Sequence, residues 1–136
     1  MSWFDGLSLK MMQEEGYKAV IEVKKLYEDA IIPTKATDGS VGYDLYTKEG
    51  VLVPDGDSAK VGTGIAFNFS KNTYRKFYGL VYVRSSAYDE YDVRLANNVG
   101  VIDTDYQGEI ILHLESTIPF VDEIVSRGTY IPKGTR

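Results

Sequence analysis

Short runs of β-branched and aromatic residues, each closed by a turn signal, limit what this chain can fold into more than any other feature. Residues 20–26 (VIEVKKL), 43–47 (YDLYT), 51–53 (VLV), 59–61 (AKV), 64–69 (GIAFNF) and 77–83 (FYGLVYV) read as strands. So do 92–95 (DVRL), 110–116 (IILHLES), 123–125 (EIV) and 129–131 (TYI). Between them, 35–40 (KATDGS), 54–57 (PDGD), 70–72 (SKN) and 132–135 (PKGT) carry residues that preset φ or hydrogen-bond their own backbone. Strand signals at a spacing of ~8–12 residues predict an all-β sandwich, barrel or jelly roll.

At 136 residues the chain is one domain by size. Residues 1–17 (MSWFDGLSLKMMQEEGY) stand apart from 18–136, because Leu7, Leu9, Met11 and Met12 give no clean helical stripe. An N-terminal arm is expected there, or a short helix from about Ser8 to Glu15 stopped by Gly16. Trp3 and Phe4 are positioned to anchor such an arm on a neighbouring subunit.

The absence of cysteine excludes disulfides, Cys-based zinc sites and a Cys nucleophile. A single histidine, His113, argues against a His-rich metal centre or a Ser-His-Asp triad, leaving a hard cation on oxygen ligands such as Mg²⁺. The net charge of −5 argues against a general nucleic-acid binder but not against a nucleotide neutralised locally by Mg²⁺ and a few Arg or Lys side chains. No apolar run approaches ~20 residues, so no transmembrane helix is expected. The N-terminus lacks a secretory pattern, so a cytoplasmic location is expected, or the nucleus or host-cell cytoplasm for a viral protein.

The densest chemistry lies at 95–110, LANNVGVIDTDYQGEI. Apolar runs flank the acidic segment 103–108, which predicts a hairpin, since Asp caps local N–H groups and Gly tolerates φ > 0. Two carboxylates, an aromatic ring and an Asn converge there beside Gly100, which lets a ligand approach the backbone.

The stretch GVIDTDYQG resembles motif 3 of the trimeric dUTPases, which cut dUTP to dUMP and pyrophosphate. Two further stretches follow the family's order: VGYDL at 41–45, preceded by ATDGS, resembles motif 1, and VRSS at 83–86 resembles motif 2. The resemblance implies a distorted antiparallel β-barrel or jelly roll of the dUTPase-like β-clip type, assembled as a homotrimer. It also implies an enzyme that keeps uracil out of DNA, working with Mg²⁺ and without nucleic-acid or membrane partners.

On this resemblance Asp103 is the general base that takes a proton from the water attacking the α-phosphorus. Tyr106 lies under the deoxyribose and disfavours a 2′-OH. Asn97 matches the O4 and N3–H edge of uracil, and the backbone of Gly100, Val101 and Ile102 completes the base cradle. Arg84, Ser85 and Ser86 contact the phosphates, and Asp44 holds waters of the Mg²⁺ shell. Asp105 is expected to be a turn-former. The sequence departs from the family at Val41, where a small residue is usual, and at Ala87-Tyr88-Asp89-Glu90, where a Leu-Ala type continuation is usual.

The resemblance runs from about Val20 to Arg136 and lacks motifs 4 and 5; YIPKGTR at 130–136 looks like the lead-in to motif 4. A truncated chain, or a second polypeptide supplying motifs 4 and 5, is therefore expected, with weak or no turnover by this chain alone. Two alternatives stand beside this. A dCTP deaminase of the same superfamily would need a Glu ten residues after Asp103, where this chain has His113, with Glu115 two residues further along the same strand face. A non-catalytic nucleotide-binding or regulatory module on the same scaffold is the other.

Overall fold

The computed structural model describes residues 8–14, 17–71, 76–121 and 127–136. The expected strand at 123–125 and the anchor at Trp3 and Phe4 lie outside them. The strands are β1 (Ser8–Glu14), β2 (Tyr17–Lys25), β3 (Val51–Pro54), β4 (Ser58–Asn68), β5 (Gly79–Val81), β6 (Val93–Leu95), β7 (Gly100–Ile102), β8 (Glu109–Ser116) and β9 (Gly128–Ile131). One short helix, α1 (Ala87–Tyr91), lies between β5 and β6. An antiparallel sheet of order β1-β2-β4-β8-β6 is accompanied by two ribbons, β3-β9 and β5-β7. This is the all-β architecture that the spacing of strand signals predicts.

The strand β4 is the spine. It pairs β2 on one side and β8 on the other, and every residue from Val61 to Phe67 is buried, because both faces of the strand are covered. Its Val61-Gly62-Thr63-Gly64 segment reads as punctuation, and two strands are expected; the structure has one strand carrying a bulge. Register passes from Gly62↔Ile111 directly to Ala66↔Glu109, and Gly64 takes φ +69°. The interrupted ladder is repaired by a side chain: the Thr63 hydroxyl donates to the Ile110 carbonyl at 2.8 Å and accepts from the Ile65 N–H at 3.3 Å.

Two apolar clusters flank this spine. One gathers Ile21, Val23, Ile65, Phe67, Ile102 and Ile110; the other gathers Val53, Val61, Val93, Leu95, Leu114 and Ile131. Val81 packs against both.

Several expectations are corrected. The helix expected over 8–15 is the strand β1, paired antiparallel with β2 from Ser8↔Glu22 to Glu14↔Tyr17. A helix so short is marginal without a buried stripe, whereas the hairpin satisfies its backbone groups on β2. Residues 43–47 form no ladder. Asp44 makes an isolated bridge with Thr34, and Thr47 is tied to the C-terminal turn, its N–H donating to the Thr135 carbonyl and its hydroxyl to the Pro132 carbonyl. The run 77–83 is laddered only over β5, the length of its partner β7. Residues 87–91, for which the sequence announces no element, form α1, with Asp89 and Glu90 in the first turn where the helix dipole favours acid.

The most consequential correction concerns 95–110. The segment 103–108 is not a hairpin turn. Strand β7 pairs with β5, and β8 lies between β4 and β6, so the loop crosses from a ribbon to the main sheet. A turn signature between apolar runs leaves the partner of each run open, and long-range packing decides it.

Candidate functional site

Where the crossing loop leaves the ribbon, a cleft of about 240 Å³ opens. Its lining includes Asn97, Gly100, Val101, Ile102, Asp103 and Tyr106, so six of the residues singled out in the sequence share one cleft. Ile102 is buried in the core, and what it can offer a ligand is backbone. Val101 alternates outward and is exposed. Gly100 sits where a Cβ would lie 3.2 Å from Val81 Cβ and 3.8 Å from Asn97 Nδ2, which keeps this stretch of the wall thin.

The approach to that wall is built from tight turns. The Asn98 N–H donates to the Leu95 carbonyl at 3.0 Å and the Val99 N–H to the Asn97 carbonyl at 2.6 Å, with Asn98 at φ 60°. Asn tolerates this left-handed conformation better than most residues. The result leaves the Asn97 side chain exposed at the cleft edge.

The loop 103–108 is pinned to β4, to the start of β8 and to the segment that leads into β5. The Thr104 hydroxyl donates to the Phe77 carbonyl at 2.7 Å, Gln107 Nε2 to Asn68 Oδ1 at 3.1 Å, and the Tyr106 hydroxyl to the Glu109 carbonyl at 2.8 Å. The Tyr106 N–H also donates to the Asp103 carbonyl at 3.0 Å, closing a turn that leaves the Asp103 carboxylate exposed. The ring of Tyr106 is half exposed with its hydroxyl end anchored, a posture suited to stacking.

The remaining candidates do not line this cleft. Arg84 and Ser85 are exposed on the turn that opens α1, where the Ala87 N–H donates to the Arg84 carbonyl at 3.0 Å, and Ser86 occupies the N-cap position. Asp44 is a partly exposed carboxylate ion-paired with Arg136 at 3.5 Å. Among the described residues no group of three or more His, Cys, Asp or Glu side chains could hold a metal ion. No helix among them is long and apolar enough to cross a membrane.

The polar cleft residues that received no binding role from the sequence are His113 and Glu109. His113 lines the cleft with Nε2 2.9 Å from the Ser58 hydroxyl, and Glu109 lines it beside Tyr106. Strand alternation alone does not show which face of β8 meets the cleft. Glu115, the carboxylate that a deaminase would enlist, is ion-paired with Arg94 at 2.8 Å and is not part of the lining.

The dUTPase family model matches residues 28–118. The deoxyuridine 5'-triphosphate nucleotidohydrolase of Mycobacterium marinum (strain ATCC BAA-535 / M) is 35% identical over 100 residues, covering 74% of this chain and 62% of the relative. The chain thus spans about three fifths of that relative's length. The dUTPase of Staphylococcus bacteriophage 80alpha superposes with a TM-score of 0.70 at 20% identity, over 85% of this chain and 84% of its own. A mutant dUTPase from phage phi11 of S. aureus, described with a structural Mg(II) ion, superposes with a TM-score of 0.65 at 16% identity, over 85% and 92%. At such identities the two structures speak to the fold alone.

Proposed function

Because the chain belongs to the dUTPase family, we propose that it hydrolyses dUTP to dUMP and pyrophosphate, acting as a homotrimer. The observation that carries this reading is the single cleft lined by Asn97, Gly100 to Ile102, Asp103 and Tyr106. Asn97 and the adjoining backbone present donors and acceptors to the uracil edge. The Tyr106 ring lies under the deoxyribose, where a 2′-OH would be crowded.

Asp103 accepts a proton from water as its oxygen bonds to the α-phosphorus. The bond from that phosphorus to the oxygen bridging to the β-phosphate breaks, and pyrophosphate leaves. Arg84, with Ser85 and Ser86, meets the charge developing on the phosphoryl oxygens. Asp44 fits a water-mediated Mg²⁺ contact: it is a partly exposed carboxylate whose ion pair with Arg136 is long at 3.5 Å, and Mg²⁺ is commonly held by one or two carboxylates plus substrate phosphates. Bound there, the ion would supply positive charge to the triphosphate.

Arg84 to Ser86 and Asp44 stand off the cleft of their own chain, which supports a site completed by other copies. An apolar face supports the same assembly. Leu80 and Val101 are cross-strand partners on the β5-β7 ribbon, and both are exposed, as are Tyr78 and Tyr82. We place the enzyme in the cytoplasm or nucleus, on the sequence features alone.

Pyrophosphate release tests the reading. With Mg²⁺, release from dUTP is expected to exceed that from UTP, dCTP and dTTP. Ammonia release from dCTP would replace the reading with a deaminase, and tight dUTP binding without turnover, persisting when a polypeptide carrying motifs 4 and 5 is added, would replace it with a non-catalytic module.

A further inference from the structure

We infer that Glu109 is a positioning residue for the Tyr106 ring, and that Lys48 and the β4 bulge hold Glu109 in place; this rests on the sugar-facing role of Tyr106 proposed above. The Tyr106 hydroxyl donates to the Glu109 backbone carbonyl at 2.8 Å. The ring reaches that carbonyl across Gly108, where an added Cβ would stand 2.7 Å from the hydroxyl oxygen.

The Glu109 carboxylate is gripped from the opposite side. Its Oε2 accepts the Gly64 N–H at 3.0 Å and lies 3.3 Å from the Lys48 ammonium. It fills the space left by Gly62, whose Cβ would fall 2.0 Å from Oε2. Lys48 in turn donates to the Tyr27 hydroxyl at 3.0 Å and sits 4.2 Å from the centre of that ring. The Tyr27 hydroxyl, and then the Glu109 carboxylate, raise the Lys48 pKa above its ordinary value. Charge-assisted contacts of this kind fix both position and direction. The clamp acts on the first residue of β8, directly after the crossing loop, so loosening it lets the carbonyl that anchors the ring drift.

Calorimetry with α,β-imido-dUTP and α,β-imido-UTP reads the effect as a deoxy-over-ribo affinity ratio. Lys48→Met is expected to lower that ratio roughly three- to tenfold, the size of coupling usual between contacting groups. Lys48→Arg is expected to restore most of it. In a Tyr106→Phe background, Lys48→Met is expected to have no further effect, because the anchor it supports is already gone. A parent-like ratio in Lys48→Met, or an equal additional loss in the Tyr106→Phe background, overturns the clamp and leaves the ring's role standing. A parent-like ratio in Tyr106→Ala, or a parent protein with no preference, overturns the ring's role and the clamp with it. Should Lys48→Met fail to fold, Tyr106→Phe decides alone: a loss of similar size supports the anchor, and an unchanged ratio overturns it.

Discussion

The crossing loop at 103–108 and the turn at 84–86 are both polar connections that leave a β-strand, yet the fold treats them differently. The loop is tied to Phe77, Asn68 and Glu109, so its aspartate and tyrosine keep fixed places in one cleft. At the turn Arg84 and Ser85 are exposed, and neither lines the cleft. The difference separates two tasks in the proposed enzyme. Base and sugar are read by groups preorganised within one chain, and the phosphates by groups that assembly brings to them.

Asp103→Asn should break the first half most severely. Turnover is expected to fall on the order of 10²–10⁴-fold while affinity for α,β-imido-dUTP stays within a few-fold, as for loss of a general base. Pyrophosphate release and calorimetry on one preparation check it, and an unchanged rate removes Asp103 from the role. Leu80→Glu aims at the second half by placing a charge on the exposed apolar face of the ribbon. Light scattering should show loss of the proposed trimer, turnover should drop on the order of 10²-fold, and deoxyuridine binding should persist. If the variant stays trimeric and active, that face is not the contact.

Thr63→Val probes the support beneath the wall. Thr63 is 1% exposed, and its hydroxyl is the group that bridges the bulge to Ile110. Removing it strands a buried carbonyl, at an expected cost of about 1–3 kcal/mol in urea unfolding. The smallest effect belongs to Asp29, which Lys133 holds by hydrogen bond and charge below its usual pKa. Because the folded value is depressed, the contact stabilises above the unfolded value of about 3.9 and is lost as pH falls through the lower folded value. Asp29→Asn should therefore flatten the acid limb of the stability curve only slightly, Asp29 and Lys133 both being exposed. A midpoint unchanged down to pH 3 in both proteins would remove the contact from the account.

How much of this was legible beforehand depended on the range of the forces involved. Alternating runs such as 110–116 announce strands, because the period of two is local. The bulge did not, since Gly62 and Gly64 signal a break as readily as an irregularity inside a strand, and only the pairing with β8 tells them apart. The hairpin expected at 103–108 failed for the same reason: the partners of β7 and β8 are remote in sequence. Asn97, Asp103 and Tyr106 were visible because they cluster within ten residues. Lys48 and His113 were not, because cross-sheet geometry brings them to the site's surroundings.

Val81 is the side chain on which the apolar clusters meet, and it belongs to the strand that pairs with β7 at the cleft. Neither apolar cluster can melt by itself without unseating that strand. Folding cooperativity and the integrity of the cleft are thereby yoked. Hydrogen exchange at Gly100 and Ile102, which pair with β5, should proceed only through global opening, at the slow rate of the innermost amides.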